Sequence, residues 1–254
     1  MKREDFSLET ASGVRISGEV TSPASSLRKA YILLHGFSSS KRNSLNEAIR
    51  PFLLDHGYSV ISFDFRGCGE SSGDLGTTTL TSGLEELLSI HRFVAKNLEP
   101  VEISLIGSSF GGSVAVASTV EIEVKSVICK SPMLNIPDAQ IRARGAEAIK
   151  KWERDGYLHM ERKSGPVDLS FDYIRDARNY DLLSARYCDV ATRYSIVQGD
   201  LDELAPIDHS RAFVAQCQNN RRIFEIAGAG HSFSDSAHFE QMIGAVKFCV
   251  EDER

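Results

Sequence analysis

Short apolar segments and amphipathic segments alternate along most of the chain. Residues 29–34 and 58–63 are almost continuously apolar, as is typical of strands covered on both faces of a sheet. Segments 43–56 and 78–97, each of which follows one of these strands, carry apolar residues at the spacing of a helix that buries one face. Further strands are predicted at 101–106, 124–129, 194–198 and 222–226, and further helices at 110–119, 207–216 and 237–250. This alternation predicts an α/β fold with a mostly parallel central sheet flanked by helices.

The first strands of the chain follow a different pattern. Residues 14–20 alternate between apolar and polar side chains, which indicates a half-buried strand. A turn at Ser12-Gly13 precedes it, so we expect a hairpin with residues 5–9.

Residues 132–180 interrupt the alternation. They contain an amphipathic stretch at 139–152, a turn at 163–166 and a predicted helix at 170–178. Nearly fifty residues are too many for a plain connection between two strands. Apolar side chains are frequent in this segment and need a surface to pack against: Met133, Ile136, Trp152, Tyr157, Phe171 and Tyr173. We therefore expect a small cap, inserted at about 132–180 into a single domain that comprises residues 1–254.

Composition and charge argue against some kinds of binding partner and indicate a cellular location. Hydrophobic residues make up 42% of the chain and charged residues 25%, as in ordinary globular proteins. The net charge of −6 argues against a nucleic-acid partner, which usually requires a basic surface. No apolar run approaches the roughly 20 residues of a membrane span, and no apolar signal core follows the charged N-terminus. The five cysteines are scattered without a CxxC pair, so a reducing cytoplasm is the expected location.

The clearest chemical motif is the segment Gly107–Gly111, which reads G-x-S-x-G. It lies between a predicted strand and a predicted helix, the setting of a nucleophile elbow. The glycine frame selects Ser109, because a frame centred on Ser108 would need glycine at Ile106 and Phe110. A turn built merely of small residues is the alternative interpretation.

A serine nucleophile needs a base, and that base needs an orienting group. Asp202 is the favoured acid, since it follows the strand at 194–198 and precedes Pro206 in a polar loop. Asp200 adjoins the strand and is expected to shape the turn; it and Glu203 remain alternatives for the acid. His231 is the candidate base, because it lies in a glycine-containing loop after the last predicted strand.

Two backbone N–H groups are expected to stabilise an oxyanion. One belongs to Phe110, the residue after the nucleophile. The other is assigned to Phe37 in the loop after the strand at 29–34, where Gly36 permits close approach of the backbone. His35 is expected to support this loop rather than to take part in the chemistry.

Together these segments resemble the α/β-hydrolase superfamily, and most closely its small capped esterases and lipases of the cinnamoyl-esterase and monoacylglycerol-lipase type. The matching segments are His35-Gly36-Phe37, Asp64-x-Arg66-Gly67-x-Gly69-x-Ser71, the Ser109 elbow, Gly199-x-x-Asp202 and Gly230-His231. The resemblance covers about residues 28–250, and residues 156–171 are similar to the hairpin of the cinnamoyl-esterase cap. It implies the α/β-hydrolase fold and a Ser-His-Asp triad. The chain departs from the pattern at Leu204-Ala205-Pro206, where valine usually precedes the proline.

The expected function is cleavage of carboxylic esters through an acyl-enzyme, with a small-molecule ester as partner. We expect Trp152 and Tyr157 to contact a hydrophobic or aromatic acyl group. A thioesterase or an aminopeptidase-like peptidase is the alternative enzyme, and a ligand receptor on the same scaffold is the alternative outside catalysis. An aminopeptidase would need an acidic group for the substrate ammonium, for which Glu147, Glu153 and Asp155 are available.

No cofactor or metal is expected. The glycine-rich segment 67–73 imitates a dinucleotide loop, but its last glycine is one residue too far along. No H-E-x-x-H motif or clustered set of metal ligands occurs. No pattern in the sequence indicates an oligomeric state.

Overall fold

The structure, a computed structural model, describes residues 2–23, 28–100, 102–162, 165–188, 190–216 and 220–252. The strands in these ranges are β1 (Lys2–Glu9), β2 (Arg15–Ser22), β3 (Lys29–Leu34), β4 (Ser59–Phe63), β5 (Glu102–Ser108), β6 (Ser126–Lys130), β7 (Tyr157–Met160), β8 (Val167–Ser170), β9 (Arg193–Gly199) and β10 (Arg221–Ile226). The α-helices are α1 (Ser44–Asp55), α2 (Leu80–Leu98), α3 (Phe110–Ser118), α4 (Ile136–Arg144), α5 (Ala146–Asp155), α6 (Asp172–Ala177), α7 (Ile207–Gln216) and α8 (Ser236–Asp252).

Eight strands form one central sheet in the order β1-β2-β4-β3-β5-β6-β9-β10. The strands from β4 to β10 in this order are parallel, whereas β2 is antiparallel to both β1 and β4. The predicted mostly parallel α/β sheet is therefore confirmed. The predicted hairpin is also present, with Glu9 opposite Arg15 in the register of β1 and β2.

Helices cover both faces of the sheet. Along β3, Ile32 lies in the hydrophobic core on one face and Leu33 in the core on the other, as alternation along a strand requires. The first core includes Leu87 of α2, and the second includes Val246 of α8. Burial on both faces explains the almost continuous apolar run of β3.

The insertion consists of α4, α5, the antiparallel pair β7–β8, and α6. The amphipathic stretch at 139–152 forms parts of two helices rather than one, because the chain turns at Gly145 with φ +84°. The backbone N–H and hydroxyl of Thr81 at the start of α2 both donate to the carboxylate of Asp176 in α6 and tie the insertion to the main fold. Of the turn predicted at 163–166, residues 163 and 164 lie outside the described residues.

Two findings bear on the expected location. Among the described residues, no helix combines the length and the apolar character that crossing a membrane requires. Cys188 is disulfide-bonded, which the scattered cysteine pattern did not predict. A disulfide does not favour a reducing compartment, so the cytoplasmic location stays a prediction.

Candidate active site

Ser109 occupies the sharp turn between β5 and α3. Its backbone adopts φ 51° and ψ −115°, a conformation that is costly for a residue with a side chain. The Ser109 N–H donates to the carbonyl of Lys130 at 2.8 Å, which holds this turn against the end of β6. The turn projects the serine hydroxyl beyond the carboxyl edge of the parallel strands.

The glycines around Ser109 are required because a Cβ atom at either position would clash with neighbouring backbone atoms. A Cβ atom on Gly107 would lie 2.5 Å from the carbonyl oxygen of Gly111. A Cβ atom on Gly111 would lie 2.5 Å from the carbonyl oxygen of His35 and 2.6 Å from that of Leu34. Both distances are far below van der Waals contact, so the G-x-S-x-G pattern has a steric reason at this turn.

Three polar side chains from separate loops meet at this edge of the sheet. The Ser109 hydroxyl and His231 Nε2 are 3.0 Å apart, and His231 Nδ1 lies 2.9 and 3.0 Å from the two carboxylate oxygens of Asp202. An Nδ1–H that donates to Asp202 leaves Nε2 free to accept from Ser109. The structure thus brings together the serine, histidine and aspartate that the sequence analysis selected.

Asp202 is buried and held by several donors. The backbone N–H groups of Leu204 and Ala205 donate to Oδ1 at 3.0 and 2.8 Å. Burial alone raises the pKa of this carboxyl, but the hydrogen bond and charge of His231, with the Ala205 N–H, outweigh it and lower the pKa. Asp202 is therefore poised to stay ionised beside the imidazole.

The two alternative acids have other partners. Asp200 accepts the N–H of Gly228 at 2.7 Å, so it joins the ends of β9 and β10. Glu203 accepts the backbone N–H of His231 at 3.3 Å. In the structure, the His231 side chain is hydrogen-bonded to the carboxylate of Asp202.

Lys130 was missed by the sequence analysis. It is the last residue of β6, at the edge of the sheet where the site lies, and is only 8% exposed. Its ammonium group donates a hydrogen bond to the backbone carbonyl of His231. Burial lowers its pKa to about 8, although Asp202 and Glu203 partly oppose that shift. A charged residue at the carboxyl end of an otherwise apolar parallel strand was the available signal.

The loop after β3 lies directly against the serine turn. A Cβ atom on Gly36 would lie 3.5 Å from the Cβ of Ser109. The buried His35 ring donates from Nδ1 to the Gly36 carbonyl at 2.7 Å and accepts the Phe65 N–H on Nε2 at 2.9 Å. The pKa of His35 is lowered, and burial of the ring is the main cause of that shift. A lowered pKa is consistent with the neutral ring that these two hydrogen bonds need.

His35 thereby orients a peptide group. The Gly36 carbonyl and the Phe37 N–H belong to one trans peptide and point in opposite directions. Anchoring the carbonyl to His35 therefore fixes the direction of the Phe37 N–H. On the other side of the site, the N–H of Phe110 is at the first turn of α3, where helix N–H groups lack intrahelical acceptors.

A cavity of about 440 Å³ opens beside Ser109 and His231. The main fold contributes Phe37, Leu45 and Lys130 to its wall, among others. The insertion contributes Gln140, Arg144, Met160, Arg162, Leu169 and Tyr173. The insertion therefore forms one wall of the cavity that contains the serine.

Comparison with known proteins identifies the family. A sequence model described as alpha/beta hydrolase family matches residues 31–245, most of the chain. The chain belongs to the alpha/beta hydrolase family. This membership confirms the resemblance found in the sequence and supports a hydrolase activity.

The proteins to which this chain is similar include enzymes of several kinds. The mouse mitochondrial palmitoyl-protein thioesterase ABHD10 is 26% identical over 70% of this chain, and the aligned part covers only 60% of the mouse protein. A proline iminopeptidase of Clostridioides difficile is 26% identical over 88% of this chain and 73% of its own length. The Est1E structure from Butyrivibrio proteoclasticus with bound ferulic acid has a TM-score of 0.79 at 24% identity and covers 98% of both chains.

The expectation for Trp152 and Tyr157 needs correction. Trp152 is only 2% exposed, and its indole N–H donates to the Leu169 carbonyl at 2.9 Å, so the ring is part of the insertion's own core. Tyr157 is 54% exposed. Neither lies on the cavity wall, whereas Tyr173 does. Composition does not give the direction of a side chain in a short insertion, whether it lies in a helix, as Trp152 does, or in a strand, as Tyr157 does.

The described part of the chain contains no group of three or more His, Cys, Asp or Glu residues placed to hold a metal ion.

Proposed function

We propose that this protein is a serine hydrolase that cleaves carboxylic esters through an acyl-enzyme intermediate. Ser109 is the nucleophile, His231 the general base and acid, and Asp202 the group that orients the imidazole. The observation that carries the proposal is the hydrogen-bonded series Ser109–His231–Asp202 in the wall of a cavity. Family membership supports the same class of reaction.

In the acylation half, Ser109 Oγ attacks the carbonyl carbon of the ester while its proton passes to His231 Nε2. Asp202 stabilises the imidazolium that forms, since its carboxylate stays ionised. The negative charge on the carbonyl oxygen is received by the N–H groups of Phe37 and Phe110. A donor of this kind contributes roughly 2.7–4 kcal/mol to the transition state.

Collapse of the tetrahedral intermediate breaks the bond to the alcohol, which takes the proton from His231. In the deacylation half, His231 removes a proton from water, and the resulting attack on the acyl-enzyme releases the acid and restores Ser109.

We propose that residues 132–180 act as a cap within a single domain of residues 1–254. Support comes from the cavity wall, to which these residues contribute seven side chains: Met133 and the six of the insertion named above. The cap would shape the part of the cavity that receives the substrate.

Substitution of the nucleophile tests the reaction. Ser109→Ala should lower kcat toward p-nitrophenyl butyrate by about 10⁴–10⁶-fold, because residual rates then come from the oxyanion donors and binding alone. Ser108→Ala, which alters the adjacent hydroxyl, is the matched control and should keep most of the activity. A fluorophosphonate should label the wild-type protein and the control but not Ser109→Ala. Equal hydrolysis by Ser109→Ala and the wild type would contradict the proposal, and absence of labelling would favour the receptor.

A thioester is the second candidate substrate, favoured by the similarity to the mouse thioesterase. The same attack on a thioester carbonyl would release a thiol instead of an alcohol. Comparison of kcat/KM for p-nitrophenyl butyrate and butyryl-CoA distinguishes an esterase from a thioesterase.

The peptidase alternative lacks its expected acidic group. Glu147 pairs with Lys150 at 2.8 Å, Asp155 with Arg154 at 3.1 Å, and Glu153 lies 3.8 Å from Arg178. None of these three carboxylates lines the cavity. An aminoacyl p-nitroanilide should therefore be a poor substrate.

A further inference from the structure

The cavity wall carries an excess of positive charge. Its charged side chains include Lys130, Arg144 and Arg162, and no carboxylate of the described residues lines it. This is unexpected in a chain with net charge −6, where acidic partners are plentiful. The nearby Asp202 is already committed to His231.

Arg144 and Arg162 converge from different parts of the insertion. Arg144 lies in the last turn of α4, and Arg162 follows β7. Both guanidinium groups reach Met160 Sδ, at 3.8 Å from Arg144 and 3.2 Å from Arg162. Two cations are therefore held close together around a single thioether.

No carboxylate within the described part of the chain pairs with either of these arginines. Other arginines of the insertion are paired: Arg142 with Asp138, Arg175 with Asp172, and Arg178 with Glu153. Desolvation of the guanidinium, and then the charge of Arg162, lower the pKa of Arg144. No carboxylate of the described residues offsets these two positive charges, and both side chains are exposed, so an anion from outside the protein can reach them.

Arg162 also connects the pair to the reaction centre. Its guanidinium carbon lies 5.5 Å from the ring centroid of Phe37, whose N–H is a proposed oxyanion donor. An anion held by the arginines would therefore lie on a substrate whose carbonyl reaches Ser109. Guanidinium groups suit this task, since each can donate two parallel hydrogen bonds to a carboxylate or phosphate.

We propose that the substrate of this hydrolase carries an anionic group, a carboxylate or a phosphate, that binds to Arg144 and Arg162. This inference rests on the proposed ester-cleaving function and specifies its substrate class. It replaces the purely hydrophobic or aromatic acyl group expected from the sequence. The apolar part of the cavity wall then accommodates the chain between the anion and the ester.

A matched pair of esters tests the inference. The p-nitrophenyl monoester of adipic acid and p-nitrophenyl hexanoate have acyl chains of equal length and differ in the terminal carboxylate. Wild-type kcat/KM should be about 10-fold or more higher for the adipate monoester, since a hydrogen bond between charged groups strengthens binding by about that factor. A phosphonate-terminated ester of similar length then distinguishes carboxylate from phosphate recognition.

Substitution of the two arginines should remove the preference. In Arg144→Gln/Arg162→Gln, kcat/KM for the preferred anionic ester should fall about 10–100-fold, whereas that for the hexanoate should change less than about 3-fold. Arg142→Gln, on the same helix but paired with Asp138 and Asp208, is the control and should preserve the preference. Equal rates for charged and neutral esters in the wild type, or equal losses for both in the double variant, would overturn the inference.

Measurements of ligand binding distinguish a failure of this inference from a failure of the proposed function. Monomethyl adipate should bind to Ser109→Ala in calorimetry more tightly than methyl hexanoate, which carries no charge, and adding the two arginine substitutions should abolish this difference. If wild-type protein hydrolyses neither p-nitrophenyl ester but monomethyl adipate still binds through the arginines, the ester-cleaving function fails and the anion site stands. If esters are cleaved but neither monomethyl adipate nor its phosphonate analogue binds preferentially, the anion site fails and the function stands.

Discussion

Asp202 and Asp200 are two residues apart, yet their side chains have different partners. Asp202 faces His231 and two backbone N–H groups, whereas Asp200 accepts the N–H of Gly228. Chain position alone leaves both as candidates, because either could turn toward a nearby histidine. The direction of each side chain decides between them.

Asp202→Asn should therefore lower kcat by about 10³–10⁴-fold, because an amide in place of the carboxylate favours the wrong imidazole tautomer. Asp200→Asn is the matched control, with the same chemical change two residues away, and should lose less than about 10-fold. The measurement is kcat for p-nitrophenyl butyrate, with folding checked by circular dichroism. A larger loss in Asp200→Asn would reassign the acid.

Position 111 requires glycine for steric reasons alone. Gly111→Ala places a methyl group 2.5 Å from the carbonyl of His35, so the free energy of unfolding should fall by about 2 kcal/mol or more. Gly244→Ala in α8 meets nothing within 4 Å and should be neutral or stabilising by about 1 kcal/mol. Urea unfolding measures both values, and equal stability of the two variants would show that the turn relaxes without cost.

At the scale of elements, the insertion is held together by its own core. The ring of Trp152 packs against the rings of Phe171 and Tyr173, with centroid distances of 5.8 and 6.4 Å. The indole N–H of Trp152 links α5 to the carbonyl of Leu169 in β8. These contacts give a segment of two short strands and three helices a defined shape beside the cavity.

Trp152→Ala should destabilise the protein by about 3–5 kcal/mol, since it removes a large buried ring and leaves the Leu169 carbonyl without its donor. Tyr157→Ala, at the exposed neighbouring strand, should change the free energy of unfolding by less than about 0.5 kcal/mol. Urea denaturation compares the two, with limited proteolysis to locate the first cleavage. Similar values for both variants would mean that the insertion does not depend on the buried ring.

At the scale of the whole molecule, Lys130 joins distant parts of the chain. It lies at the end of β6 in the middle of the sheet and donates to the carbonyl of His231, which follows β10. Its ring contact with Phe233, 5.2 Å from the ammonium to the centroid, adds to this link. The link positions the histidine loop, but it buries a charge.

The folded state lowers the pKa of Lys130 from 10.5 to about 8. The unfolded chain therefore binds more protons between these values, so the contribution of Lys130 to stability rises with pH across that window. The wild-type free energy of unfolding should gain about 2 kcal/mol relative to Lys130→Met between about pH 7.5 and 9.5. Urea unfolding at both pH values measures this difference.

Lys150→Met is the control for the loss of a lysine side chain, because the side chain of Lys150 is 70% exposed. The effect of Lys130→Met is measured against that of Lys150→Met at each pH. A Lys130→Met difference that is constant, or that falls with rising pH, would contradict the lowered pKa of Lys130.

Much of the fold could be predicted because it depends on local patterns. The strand at 29–34 matches β3, and the helix at 207–216 matches α7. The amphipathic stretch at 139–152 gave no helix boundaries, and in the structure the positive φ at Gly145 separates it into parts of two helices. Glycine within an amphipathic pattern is compatible with either result, and tertiary packing decides which occurs.

For the site, the sequence by itself determined the serine turn, because the glycines needed there are neighbours in the chain and the steric conflict is local. It also limited the acid and the base to a few residues at strand ends, since parallel strands present their carboxyl ends at one edge. Only the tertiary structure decided that Asp202 faces His231, that Trp152 turns inward, and that Arg144 and Arg162 meet at the cavity. These arrangements depend on contacts between segments far apart in sequence, whose side-chain directions no local pattern encodes.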